Sequence, residues 1–160
     1  MDQIPADGCR IQTRLEQLLV ALGEAARAER CSLFVVDEPR GELEIRVARP
    51  EDVAARAYRM PLNRGIAGFV RATGWALRVD DAYANPFFNP ELDRATGYRT
   101  RSILCAPVRD RHGRVIALVE LLNPRDRARF DESDEARVRS CEGQFRELLE
   151  EEYDLSARAA

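Results

Sequence analysis

The chain has 160 residues, 45% of them hydrophobic and 33% charged, with a formal net charge of −3, which is the composition of an ordinary globular domain. That balance excludes the broad basic field typical of nucleic-acid binding, and no run approaches the roughly 20 apolar residues that span a bilayer. The first ten residues lack the regions of a signal peptide, so we expect a cytoplasmic protein with one domain over 1–160, a core at about 10–150 and a charged tail at 151–160.

The first half of the chain predicts two helices and a β-hairpin. Apolar residues recur every three or four positions near the N-terminus, which indicates a helix. Two β-branched runs flank Pro39-Arg40-Gly41, which indicates a hairpin turn. In order, the predicted elements are a helix at 11–25, strands at 31–37 and 42–48, an extended piece near 58–62 and a short helix at 65–74.

The second half predicts another hairpin and a long final helix. Arg111-His112-Gly113 separates two apolar runs and is typical of a hairpin turn. In order, the predicted elements are a strand at 76–81, a long and partly helical loop, strands at 102–110 and 113–123, and a helix from near Asp131 past Leu149. Hairpins at both ends with helices around them favour an antiparallel α+β sheet.

Both terminal helices carry an apolar seam. The seams consist of Ile11, Leu15, Leu18, Leu22 and Ala25 at one end, and of Val138, Cys141, Phe145, Leu148 and Leu149 at the other. A strict heptad-like pattern fits a seam between helices, so we expect a homodimer through the terminal helices. The alternative is that both seams only cover the sheet.

A polar stripe in the long loop is a first candidate for ligand contact. Its members are Asn89, Asp93, Thr96 and Thr100. Their spacing of four, three and four places them on one face if the segment is helical. Such a face either lies in water or forms the wall of a ligand pocket, and the spacing leaves both open.

Two further features are candidates for a binding site. Glycines at the start of the predicted helix at 65–74 let the backbone approach a ligand, and the helix N-terminus offers N–H groups to an anion. Glu120 interrupts an apolar strand on the face opposite Val119 and Leu121. A buried carboxylate is unfavourable unless it is paired or hydrogen-bonded, so either that face is wet or a polar group meets Glu120.

Metal and nucleophile chemistry gains no support from the sequence. The four cysteines, Cys9, Cys31, Cys105 and Cys141, are far apart and form no C-x-x-C motif. The single histidine, His112, lies in a predicted turn without a partnered serine or cysteine. We therefore predict no metal, no cofactor and no catalytic residue.

Residues 80–123, DDAYANPFFNPELDRATGYRTRSILCAPVRDRHGRVIALVELLN, closely resemble the GAF domains of cyclic-nucleotide phosphodiesterases and related bacterial adenylate cyclases. The resemblance also covers CSLFVVD, PLNRGIAGFVRATG and FDESDE. It implies a six-stranded antiparallel sheet with the terminal helices on one face and a ligand pocket on the other. It further implies a sensor that binds cAMP or cGMP and signals through its terminal helices to an attached or partner effector.

The resemblance also implies roles for individual residues. Those implied to line the nucleotide pocket are Ser32, the backbone of Ile66 and Ala67, Asp93, Thr96, Thr100 and Glu120. A second set, Asn123, Phe130, Asp134 and Glu135, matches a motif that supports the fold. Pro124 replaces the lysine of that motif, so Arg125 or Arg127 pairs with Asp134 instead, or the ion pair is absent.

Other departures leave the function partly open. Asn89 stands where relatives can carry an aromatic residue, and residues 47–49 carry no acid where some relatives have one, so adenine and guanine are not distinguished. The alternative is a ligand-silent GAF dimerisation module. An enzyme of the free-methionine sulfoxide reductase type needs clustered redox cysteines, which the spacing disfavours, and a bilin or haem would need a cysteine or histidine in the pocket loop.

Overall fold

The computed structural model describes residues 6–160 and confirms the predicted α+β fold. The helices are α1 (Ala6–Ala25), α2 (Gly65–Thr73), α3 (Glu91–Thr96) and α4 (Glu132–Ala159), with short 3-10 turns at Val53–Ala55 and Ala82–Ala84. The strands are β1 (Ala28–Asp37), β2 (Glu42–Ala48), β3 (Arg59–Pro61), β4 (Leu77–Val79), β5 (Ile103–Arg109) and β6 (Val115–Pro124). The charged tail predicted at 151–160 is helical almost throughout, because it continues α4.

The six strands form one antiparallel sheet in the order β3-β2-β1-β6-β5-β4. Strands β1 and β6 occupy its centre, so their side chains are covered on both faces. Side chains alternate between the faces of a strand, which sends Val119 and Leu121 of β6 towards α1 and α4 and Leu118 towards α2. The sheet therefore separates two apolar clusters of different composition.

Helices α1 and α4 lie together on one face of the sheet and bury their apolar seams there. Ile11, Leu15, Phe145 and Leu149 belong to the same apolar cluster as the inward-facing residues of β1 and β6. The seam predicted for α1 is wrong in detail: Leu19 is buried in this cluster, whereas Leu18 is only partly buried and Ala25 is exposed. The seams that suggested a dimer are thus already covered within one chain.

The N-terminus of α4 is fixed by an ion pair that the sequence left open. Arg127, not Arg125, replaces the missing lysine: its Nη1 and Nη2 donate to the two carboxylate oxygens of Asp134 at 2.6 and 2.7 Å. Asp134 also forms a reciprocal capping box with Asp131, and Arg127 donates to the carbonyl of Ala26 after α1. Arg127 therefore joins the end of α1 to the start of α4.

Two further members of the predicted structural motif, Phe130 and Glu135, also make contacts that support the fold. Phe130 is buried in the cluster under α1 and α4, and Glu135 pairs with Arg78 of β4 at 3.3 Å. Within residues 6–160, no helix is long and apolar enough to cross a membrane.

Replacing Arg127 with alanine is expected to lower the free energy of unfolding by about 2 kcal/mol, because it leaves the buried Asp134 carboxylate without its cation. Arg127 is itself partly exposed, which screens the pair and keeps the effect below that of a fully buried one. The measurement is urea denaturation followed by circular dichroism. Arg129→Ala, which breaks an exposed pair with Asp80, is the matched control and should change stability little; equal losses in both variants would contradict this role of Arg127.

Candidate functional site

A small, partly open cavity lies on the face of the sheet opposite α1 and α4. It has a volume of about 60 Å³ and lies beneath residues 81–100, which we call the lid segment. Its lining consists of Phe34, Tyr58, Met60, Gly65, Ile66, Ala67, Phe88, Asn89, Leu92, Asp93, Thr100, Ile103, Glu120 and Leu122. Six of the eight predicted ligand-binding residues are in this set, and Ser32 and Thr96 are not.

The floor of the cavity is a polar row across the central strands. Ser32 of β1 and Cys105 of β5 both stand opposite Glu120 of β6 in the sheet register. The side chain of Glu120 is partly buried, and among residues 6–160 it forms no hydrogen bond. Burial away from water, together with the nearby charge of Asp93, raises the pKa of Glu120 from 4.5 to about 7.

Asp93 contributes the second carboxylate, and its hydrogen bonds are satisfied within the chain. Its Oδ2 accepts from the Tyr83 hydroxyl at 2.8 Å and from the Thr100 backbone N–H at 2.7 Å, and its Oδ1 accepts from the Thr100 hydroxyl at 2.8 Å. Asp93 and Thr100 are both buried. These hydrogen bonds therefore join residues within the lid segment to one another.

The opposite wall is the N-terminus of α2. Gly65, Ile66 and Ala67 line the cavity, and the first N–H with a helical partner is that of Gly68, which donates to Arg64. Gly65 has a φ of +71°, a conformation that glycine adopts without strain. Since the first N–H groups of a helix have no partner inside it and carry partial positive charge, this wall is suited to an anion.

The polar stripe predicted from spacing is not one face of a helix. Helix α3 covers only Glu91–Thr96, and Gly97 ends it with a φ of +76°. The Asn89 side chain accepts from the N–H of Glu91 at the start of α3, and the Thr96 hydroxyl donates to the Leu92 carbonyl at its end. Thr96 is therefore a helix-end residue in this state of the protein, and the stripe is divided among different local contacts.

A hydrogen-bonded cluster at the end of the lid segment was missed by the sequence reasoning. The Tyr98 hydroxyl donates to Glu29 at 2.8 Å and accepts from the side-chain amide of Asn123 at 2.8 Å. The Asn123 side chain also accepts from the N–H groups of Arg101 and Ser102 at 2.7 and 3.0 Å. Asn123, with a φ of +53°, thus ties the end of the lid segment to the end of β6.

Tyr58 is another residue that the sequence reasoning did not select. It lines the cavity, and its buried hydroxyl has no hydrogen-bond partner among the described residues. Burial raises the pKa of Tyr58, so the hydroxyl stays protonated. No spacing rule links Tyr58 to Glu120, because the turn between β2 and β3 alone brings it over the sheet.

The cysteines and the histidine lie apart from one another, as their spacing suggested. Cys105 is fully buried under the cavity, where burial and the charge of Glu120 raise its thiol pKa well above the usual value. Cys31 lies on the other face, beside the buried Arg49, whose guanidinium donates to the Ala28 carbonyl rather than entering the cavity. Within residues 6–160, no group of three or more histidine, cysteine or acidic residues could hold a metal ion.

Comparison with known proteins identifies the class to which this fold and cavity correspond. The sequence matches the GAF domain over residues 10–144, and the chain belongs to that family. A curated relative, the probable 3',5'-cyclic phosphodiesterase pde-5 of Caenorhabditis elegans, is 35% identical over 109 residues. The match covers 62% of this chain but only 15% of that protein, so the chain spans a small part of the relative's length.

Solved structures show the same fold. The GAF domain of a phosphoenolpyruvate-protein phosphotransferase from Coxiella burnetii aligns with a TM-score of 0.80 at 21% identity, covering 92% of this chain and 86% of that one. Free methionine-R-sulfoxide reductase from Neisseria meningitidis, in complex with its substrate, aligns with a TM-score of 0.69 at 24% identity over 94% of this chain and 81% of that one. At these identities the likeness concerns the fold alone.

Replacing Glu120 with glutamine is expected to stabilise the chain above pH 7 and to have little effect near pH 4.5. A carboxyl whose folded pKa is raised binds its proton more tightly in the folded state, so its stabilising contribution is lost as pH rises from 4.5 through about 7. The gain from the neutral side chain at high pH is up to about 3 kcal/mol. Urea denaturation of both proteins across this range measures it, and parallel stability curves would contradict the raised pKa.

Proposed function

We propose that this chain is a regulatory sensor domain, not an enzyme, and that its ligand is a cyclic mononucleotide, cAMP or cGMP. The observation that carries the proposal is the pairing, across one cavity, of the free N–H groups of α2 with the unpartnered carboxylate of Glu120. One wall suits an anion and the other suits a hydrogen-bond donor. The 35% identity to the phosphodiesterase relative supports this ligand class.

The chemistry of a cyclic nucleotide matches these two walls. The cyclic phosphate would lie at the N–H groups of Gly65, Ile66 and Ala67, where helix dipole and hydrogen bonds act together. A ribose hydroxyl or a base amino group would donate a hydrogen bond to Glu120. That bond would compensate the carboxylate for the hydration that it loses on burial. The apolar side chains of Phe34 and Phe88 are available to the base.

Binding requires the cavity to expand. A volume of about 60 Å³ holds about two water molecules, whereas pockets for drug-sized ligands measure about 300–1,000 Å³. The lid segment is the natural part to move, because the three hydrogen bonds that Asp93 accepts come from Tyr83 and Thr100 of the same segment. The segment is held to the sheet near its end, where Tyr98 contacts Asn123. A nucleotide would therefore enter with the lid segment raised and be buried when it closes.

A route from the cavity to the terminal helices follows the end of β6. Asn123 holds the lid segment through Tyr98, and two residues later the N–H of Arg125 donates to the Arg27 carbonyl at 2.8 Å. Arg127 then contacts both Ala26 and Asp134. Movement of the lid segment would thus be transmitted to the end of α1 and the start of α4. An attached or partner effector would receive the signal there.

The expected homodimer through the terminal helices stays a prediction. Its original basis is reduced, because the apolar seams of α1 and α4 are buried against the sheet. Leu18, which is only partly buried and borders a groove between the two helices, is an apolar side chain available for such a contact.

The alternative function is a ligand-silent module in a signalling protein. The small volume of the cavity and the hydrogen bonds of Asp93 within the lid segment favour it, since a segment stabilised by its own contacts needs no ligand to be ordered. The two functions differ in one measurable property, which is stabilisation by nucleotide.

The test is a thermal-denaturation titration of the ligand-free protein with cAMP, cGMP, AMP and GMP. We expect one cyclic mononucleotide to raise Tm by several degrees, because a ligand bound only by the folded state stabilises it by mass action. The linear nucleotides should have a smaller effect. The Glu120→Leu variant should lose the response while its own Tm is not reduced, since the buried carboxylate is removed.

Glu147→Leu is the matched control, because Glu147 is exposed on α4 and far along the chain from the cavity residues. It should respond to nucleotide as the unaltered protein does. Absence of any shift in protein shown to be ligand-free would favour the ligand-silent module.

A further inference from the structure

We propose that Tyr58 positions the ligand in the cavity: its hydroxyl donates a hydrogen bond to an oxygen of the cyclic phosphate at the N-terminus of α2. The proposal rests on the proposed function and adds a contact that the sequence did not indicate. Three features support it: a hydroxyl that the chain leaves unused, its location beside α2, and a backbone that is fixed before any ligand binds.

The hydroxyl of Tyr58 is a donor without a partner. The side chain is partly buried, but its oxygen is shielded from water, and among the described residues no group forms a hydrogen bond with it. The side chains of Asn89 and Glu91 lie near the hydroxyl without completing such a bond. The acceptor oxygen of Asn89 instead receives the N–H of Glu91 at 3.1 Å. Because a buried hydroxyl without a partner is unfavourable, Tyr58 is suited to a partner from outside the chain.

Tyr58 lines the cavity at the end where α2 begins. Asn89 and Gly65, the first residue of α2, belong to the same lining. A Cβ added to Gly65 would lie 3.5 Å from Cβ of Asn89 and 3.8 Å from Cε of Met60. Met60 follows Tyr58 by two residues, and both pack in the apolar cluster on this face of the sheet. Tyr58, Asn89 and the start of α2 therefore surround one part of the cavity.

The groups around this part of the cavity require an acceptor. The exposed charges of Arg64 and Glu91 both act on the Tyr58 hydroxyl, but they are of opposite sign and are screened by water and salt. The first N–H groups of α2 are donors with partial positive charge. Burial raises the pKa of Tyr58, so its hydroxyl is a donor as well. The phosphate oxygens are the negatively charged acceptors of a cyclic nucleotide, and one of them would accept from both sides.

The backbone of Tyr58 is held by the sheet and lies outside the lid segment. The N–H of Ile45 on β2 donates to the Tyr58 carbonyl at 2.9 Å, and the Tyr58 N–H donates to the Ala55 carbonyl at 3.2 Å. Ala57, directly before Tyr58, has a φ of +60°, which residues other than glycine rarely adopt. Tyr58 therefore keeps its position when the lid segment rises, and its contact with the ligand requires little further ordering.

Calorimetric titration of the full chain with cAMP and with cGMP tests the contact. We expect Tyr58→Phe to weaken binding of the cyclic nucleotide about tenfold or more, because a hydrogen bond to a charged acceptor is lost. The Tm of the ligand-free variant should be unchanged or slightly raised, since no group of the chain loses a partner. Tyr153→Phe is the matched control: it removes the same hydroxyl at an exposed site on α4 and should bind as the unaltered protein does.

Cyclic phosphorothioates identify the acceptor atom. In the Sp and Rp analogues of the nucleotide, sulfur, a weak acceptor, replaces one or the other exocyclic phosphate oxygen. With one of the two analogues, Tyr58→Phe should weaken binding clearly less than it does with the natural nucleotide, because the contact is already weakened by the sulfur. Equal losses with the natural nucleotide and both analogues would overturn the assignment to phosphate.

The remaining outcomes separate this contact from the proposed function. Unchanged affinity in Tyr58→Phe would overturn the contact and leave the proposed function standing. A fall of several degrees in the Tm of ligand-free Tyr58→Phe would also overturn it, since the hydroxyl would then have a structural partner. Absence of binding by the unaltered protein would overturn the proposed function, and the contact with it.

Discussion

The position of one carboxylate, Glu120, on a central strand of the sheet is the constraint on which the candidate site depends. Strand β6 is paired on both sides, and its residues Val119 and Leu121 pack into the apolar cluster under α1 and α4. Glu120 interrupts the other face, and a buried carboxylate must have water, a partner or a proton. The cavity lies between Glu120 and the loops that cover this face of the sheet. The raised pKa of Glu120 results from its desolvation there and from the nearby charge of Asp93.

The end of the same strand controls communication across the fold. Asn123 adopts a positive φ and uses its side chain to hold the end of the lid segment, so the chain leaves the sheet only after contacting the roof of the cavity. The next few residues carry Arg127, which joins the end of α1 to the start of α4. A short run of backbone therefore connects the roof of the cavity with the helices on the far face, and it does so without any side chain crossing the sheet.

The proposed ligand matches the two polar walls of the cavity but not its present volume. A cyclic nucleotide would supply a donor to Glu120 and an anion to the N-terminus of α2. A volume of about 60 Å³ is too small for a nucleotide, and Asp93 is fully engaged within the chain. This structure is therefore one of the two states that nucleotide binding would require.

The sequence by itself determined the elements and the faces of the strands. Alternation along β6 placed Glu120 opposite Val119 and Leu121, and turn residues located both hairpins, because these properties depend on near neighbours in the chain. Tertiary structure decided the rest. The residues of the polar stripe make different local contacts, and Thr96 lies outside the cavity lining. Arg127, and not Arg125, pairs with Asp134. It also brought Tyr98 to Asn123, since contacts between distant segments depend on how the loops cross the sheet, which no local pattern encodes.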